Sequence, residues 1–139
     1  MIKFNKLAQI AKRYEFEDSV AETDVYNGAF GAVDTDGVFA PVANASKAVM
    51  QLEVGDDMDM PKYEIPKGTR LRIVDLEAFN GEKVEIYDYP LPDTYAVGDK
   101  LVSNSEGALE VDAAAVAPYF EINEIIGIKQ GVKVTVVAQ

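Results

Sequence analysis

A chain of 139 residues, 48% hydrophobic and 27% charged, fits one domain with a core of its own and is too apolar to be disordered throughout. It has no Cys and no His, which removes disulfides, thiolate metal sites, cysteine nucleophiles and every mechanism built on an imidazole base, and with them most hydrolases. Thirteen Lys and Arg against 24 Asp and Glu leave a net charge of −11 and a pI near 4.3, a surface that repels phosphate backbones and favours solubility.

The charge is uneven along the chain. Residues 1–14 hold Lys3, Lys6, Lys12 and Arg13 and no acid, a local +4, so residues 15–139 carry −15. Phe4, Leu7, Ala11 and Tyr14 share a helical face, with Ile10 adjacent. A helix this short needs something to dock against. Two readings stand: the segment packs or pairs on its own domain, or it is an arm that reaches a neighbouring subunit. Asn5, Gln9, Lys12 and Arg13 interrupt what a signal peptide would need as an apolar stretch. No run approaches the ~18 apolar residues of a membrane span. The expectation is a protein made and used in a cytoplasm, or assembled from one.

From about residue 15 the pattern is β. Ten glycines punctuate the chain at short intervals, with apolar or alternating runs between them, the spacing of a small sandwich or barrel. Asp34-Thr35-Asp36-Gly37 starts like a calcium loop, but its glycine falls at position 4 and Ala45 stands at position 12, where an EF-hand needs glycine at 6 and glutamate at 12. It reads as a β-turn. A strand is expected at Ala48–Val54, followed by Asp56-Asp57-Met58-Asp59, the densest acid cluster and the one place where a hard cation would find oxygen ligands. A solvated turn explains it as well.

Thr69–Asp75 alternates, and Lys83–Tyr87 follows beyond Asn80-Gly81, a dipeptide that signals a hairpin between alternating runs. Pro90 and Pro92 in Tyr89-Pro90-Leu91-Pro92-Asp93 exclude a central strand and predict an extended bridge between two hairpin units of one domain. Tyr87, Tyr89 and Tyr95 cluster around it, as tyrosines do at interfaces and at barrel rims. Strands are expected at Lys100–Ser103 and Ala108–Val111, a helical turn capped by Asp112 and ended by Pro118, and a closing hairpin from Glu121–Lys129 to Val132–Val137 through Gln130-Gly131. No nucleophile elbow surrounds any serine, and neither Walker nor dinucleotide glycine spacing occurs.

These readings give a mainly β fold, a small antiparallel β-barrel or sandwich with an N-terminal arm or short helix: residues 1–14 as the basic arm and 15–139 as a single β-rich domain. At the C-terminal end short glycine turns and apolar strands follow one another in a set order. Tyr95-Ala96-Val97-Gly98-Asp99-Lys100-Leu101-Val102 is followed by Glu106-Gly107-Ala108-Leu109, then Ile126-Gly127-Ile128 and Val132-Lys133-Val134-Thr135-Val136. Over residues 95–139 the chain resembles the C-terminal half of small bacteriophage head decoration (capsid cement) proteins. In those a "VGD" turn enters a strand, a "G-x-L" strand follows, an "IG" strand returns and a Val-rich strand completes a compact barrel.

The resemblance implies a non-enzymatic virion protein without cofactor or metal. It would bind the outer surface of a phage capsid and stabilise the mature shell, after synthesis in the host cytoplasm. Its implied partners are the major capsid protein and further copies of itself in a homo-oligomer, with no role for nucleic acid or membrane. Within that reading, the charge asymmetry nominates Lys3, Phe4, Lys6, Leu7, Ala11, Lys12, Arg13 and Tyr14 as an arm contacting the shell or a sister subunit. Two other classes remain open: a β-barrel binding module for a small ligand or carbohydrate, and an acid- or metal-dependent enzyme resting on Asp56–Asp59.

Overall fold

The computed structural model describes residues 2–4, 17–50, 64–128 and 131–139. They form thirteen strands and one 3-10 helix. The strands are β1 Ile2–Phe4, β2 Glu17–Ala21, β3 Val25–Tyr26, β4 Phe30–Val33, β5 Val38–Pro41, β6 Lys47–Val49 and β7 Glu64–Ile65, then β8 Arg70–Asp75, β9 Lys83–Tyr87, β10 Lys100–Ser103, β11 Leu109–Val111, β12 Tyr119–Ile126 and β13 Gly131–Val137. The chain is mainly β, as expected.

Eleven of these strands fall into two layers, and β3 and β7 form a separate pair. One is a closed barrel in the order β2-β5-β4-β6-β8; the other is a six-stranded antiparallel sheet in the order β1-β9-β13-β12-β10-β11. An odd number of strands cannot alternate direction around a closed ring, so one pair in the barrel must run parallel. That pair is β2 and β5, with Val20 opposite Val38 and Ala21 opposite Phe39. The other four pairs around the barrel are antiparallel, in keeping with the expected antiparallel barrel.

The barrel is filled by Ala21, Ala29, Phe39, Val49, Leu71 and Ile73. The short pair β3-β7 adds Val25 and Ile65 to the same cluster. A second core lies between the layers, where Phe30, Ala48, Val74, Leu76 and Phe79 meet Val84, Ile86, Leu101, Phe120, Ile122, Val132, Val134 and Val136. β8 shows how sequence assigns the two faces. Leu71 and Ile73 point into the barrel and Arg70 and Arg72 point away from it, until Val74 takes the outward position where the sheet covers the wall.

The expected hairpin from Thr69–Asp75 to Lys83–Tyr87 does not form. β8 pairs with β2 and β6 in the barrel, whereas β9 pairs with β1 and β13 in the sheet. The reason lies in residues 76–79. Asp75 Oδ1 accepts the Glu77 N–H at 3.0 Å and caps a 3-10 helix, Leu76–Phe79. At three residues per turn, Leu76 and Phe79 fall on one side, and both are fully buried between the layers. Burying two large side chains at that point carries the chain from one layer to the other. Asn80-Gly81 turns the backbone, but toward β13: Gly81 N–H donates to Val136 O at 2.7 Å.

The closing hairpin forms as expected between β12 and β13, with a register shift between Ile122 and Glu124. The pair β10–β11 also forms, Ser103 opposite Leu109. β6 covers the start of the strand expected at Ala48–Val54; its residues 51–54 lie outside the described residues. Asp34 to Gly37 is a β-turn joining β4 to β5, with Asp34 Oδ1 accepting from Asp36 N–H and Val38 N–H at 2.9 Å each. Asp112 caps a simple turn through Ala114 N–H at 2.9 Å rather than a helical one.

Candidate interaction surface

The sequence nominated the N-terminal segment, and the structure describes its beginning. Ile2, Lys3 and Phe4 form the edge strand β1, opposite Ile86, Glu85 and Val84 of β9. For these residues the pairing reading holds, and Phe4 stands in a strand instead of on a helical face. A short helix has a costly nucleus, whereas pairing on β9 buries Ile2 in the core between the layers. Lys3 is exposed. Lys6, Leu7, Ala11, Lys12, Arg13 and Tyr14 lie outside the described residues, as does the acid cluster Asp56–Asp59.

From Lys3 a row of alternating charge crosses the outer face of the sheet. Glu85 stands opposite Lys3, Lys133 opposite Glu85 and Glu124 opposite Lys133. Lys133 Nζ lies 3.7 Å from Glu124 Oε2, and the Tyr87 hydroxyl donates to Glu85 Oε1 at 3.1 Å. Lys100 Nζ sits 4.8 Å from the centre of the Tyr119 ring on the same sheet. Exposed pairs of this kind add about 0.2–1 kcal/mol each. Their role is polarity: they keep one face of the sheet wet while the other builds the core.

The proline bridge behaves as a strap. Tyr89 packs against the barrel cluster, and Leu91 and Tyr95 pack against the cluster between the layers. Tyr26 and Tyr89 meet with ring centres 5.1 Å apart and tilted at 54°. Pro90 O accepts the Leu109 N–H at 2.9 Å, so the strap covers part of the β11 edge that would otherwise be open to pairing. Burial pushes the Tyr89 hydroxyl up to about 12, helped by Tyr26 and Glu106. Burial, then the hydrogen bond to Glu85 and its charge, push Tyr87 to about 12 as well. Tyr95 is raised by burial and by Asp88. The tyrosines expected around the bridge are thus anchored on their own domain.

Among the described residues the most exposed large apolar side chains lie in turns and loops: Ile128 between β12 and β13 (95% exposed), Val116 ahead of β12 (80%) and Val97 ahead of β10. The expected strand Glu121–Lys129 includes Ile128, which stands in the turn beyond β12, and Val116 lies outside every expected strand. The signal available was an isolated branched apolar residue beside glycine or among alanines, outside any alternating run.

Among the described residues no group of three or more acids is placed to hold a metal ion, and no helix is long and apolar enough to cross a membrane. No protein-family model matches the chain, nor does any curated protein.

Proposed function

We propose that the protein is a virion structural protein that binds the outer surface of a phage capsid and stabilises the mature shell. The observation that carries this reading is the order of parts over residues 95–139. The Val97-Gly98-Asp99 turn, closed by Asp99 Oδ2 on Ala96 N–H at 2.8 Å, enters β10. β11, β12 and the Val-rich β13 follow along the chain in one sheet, with Gly127-Ile128 in the turn after β12; that sheet is the six-stranded one, where the resemblance implies a barrel completed by the last strand. A protein that binds only the mature lattice lowers the free energy of that state by mass action, and many copies on one shell add avidity.

The same reading makes the major capsid protein and sister copies the partners, and the particle surface the place of action. The basic N-terminal segment is the contact, with an acidic body that keeps unbound copies soluble. The competing module for a small ligand has less behind it, because Phe39, Leu71 and Ile73 occupy the barrel interior.

The test is co-sedimentation with empty phage shells assembled from a major capsid protein, before and after expansion. Deleting the whole basic segment is the wrong variant, since it also takes Ile2 out of the core. The charge reversals Lys6→Glu, Lys12→Glu and Arg13→Glu in one variant leave β1 intact. Saturable binding to expanded shells, weakened in this variant, is the expected result. No binding to shells of either form overturns the reading.

A further inference from the structure

Asn80-Gly81 is chemically the most labile kind of dipeptide in a protein. The unhindered glycine amide nitrogen attacks the asparagine Cγ, a new C–N bond closes a succinimide, and the side-chain amide leaves as ammonia. Water then opens the ring at one carbonyl or the other, leaving aspartate or isoaspartate. The sequence has two such sites, Asn27-Gly28 and Asn80-Gly81. Asn27 is 6% exposed and buried within the fold, whereas Asn80 and Gly81 are both at the surface.

At the exposed site, both reacting groups are held by the end of β13. Gly81 N–H, the nucleophile, donates to Val136 O at 2.7 Å. The Asn80 side-chain oxygen accepts the Ala138 N–H at 2.8 Å. Asn80 itself is extended, with ψ 128°. Closing the ring means swinging the Gly81 nitrogen onto Cγ, away from Val136, and turning the side chain away from Ala138. Val136 is buried in the core between the layers and Ala138 packs against it, so the latch is anchored in the fold.

We propose that Asn80 is a latent deamidation site gated by the C-terminal strand. While residues 136–138 are docked, the site is silent. When the chain end frays, the succinimide forms. The isoaspartate product lengthens the backbone by one carbon beside Gly81, so the bond to Val136 O cannot be remade in register. A transient opening of the C-terminal strand is thereby converted into a lasting covalent change.

The test incubates the intact protein, a variant lacking Ala138 and Gln139, and the isolated peptide of residues 73–83 at mildly alkaline pH. Conversion at Asn80 and at Asn27 is then followed by peptide mass spectrometry with isoaspartate detection. Asn80 should convert at least about tenfold more slowly in the intact protein than in the peptide, the factor that corresponds to about 1.4 kcal/mol of protection. Truncation should recover a large part of that difference while Asn27 stays unchanged. Equal rates in intact protein and peptide overturn the proposal, and so does a truncation that leaves Asn80 unaffected or accelerates Asn27 equally. If the truncated chain fails to fold, Ala138→Pro, which removes only the N–H that holds the Asn80 oxygen, takes its place with the same expected and overturning outcomes.

Discussion

The ring of Tyr87 in β9 occupies the space beside Gly131, its cross-strand partner at the start of β13, that a side chain there would need. A Cβ at position 131 would stand 2.8 Å from Tyr87 Cε1 and 2.9 Å from Ile86 O. The glycine is there because an aromatic ring covers the strand, and the ring is fixed in turn by its hydroxyl on Glu85.

Gly131→Ala should therefore destabilise the fold by about 1–3 kcal/mol, the usual cost of forcing atoms into a filled site. Adding Tyr87→Ala should recover only part of this, because the Ile86 carbonyl remains in the way. Urea unfolding midpoints at unchanged slope would measure both effects. Full recovery in the double variant would mean that the ring alone excludes the methyl group.

Ser103 offers a different kind of test. It sits in β10, 1% exposed, and ties the sheet to the loop that links β5 and β6 in the barrel. Its hydroxyl donates to Val42 O at 2.9 Å and accepts the Ala45 N–H at 2.8 Å. Ser103→Ala strands both backbone groups where the layers meet, at a cost of about 1–3 kcal/mol. Amide exchange at Ala45 should quicken, while protection in the β12–β13 hairpin falls only with global stability.

How much of this was legible follows from which constraints are local. The β10–β11 and β12–β13 pairs could be read because their strands are adjacent in sequence and joined by short glycine-containing turns. The Asp34–Gly37 turn could be read because its carboxylate bonds backbone two and four residues on. The destination of β8 and β9 could not. Thr69–Asp75 and Lys83–Tyr87 look like partners locally, and only the joint burial of Leu76 and Phe79 sends them to different layers. Nor could Ser103, whose importance rests on contacts 58 and 61 residues away. The parallel seam between β2 and β5 follows from counting strands around a closed ring, which no local pattern contains. At the N-terminus, charge drew attention to residues 1–14, while the buried residue that fixes their start is Ile2.

Ile2 and Lys3 should separate cleanly on mutation. Ile2→Ala removes a side chain that is 2% exposed and should cost about 2–4 kcal/mol. Lys3→Glu places two acids opposite one another at the sheet edge, with Glu85 as neighbour, and should cost only about 0.2–1 kcal/mol. The second loss should shrink in salt, because exposed charges are screened; the first should not. Denaturation curves at low and high ionic strength would tell them apart.

Alkaline pH should act through the tyrosines around the bridge. Tyr87 and Tyr89 are each pushed up to about 12 from an ordinary value near 10. In the unfolded chain both would ionise near 10, so above that pH the unfolded state has released protons that the folded state still holds. Stability is then unaffected by these groups below about pH 10 and falls as pH rises from 10 to 12. The folded protein should show a late-ionising class of tyrosines by ultraviolet absorbance, and unfolding in urea should abolish it. Tyr89→Phe should remove one member of that class and flatten the loss of stability across the same window. Tyr87→Phe should do likewise to a smaller extent, since that side chain is the more open to water and its shift owes part of its size to Glu85. A Glu85→Gln variant should lower the ionisation of Tyr87 toward 10 and leave Tyr89 where it is. If both tyrosines moved together, the strap rather than the individual side chains would be setting their environment.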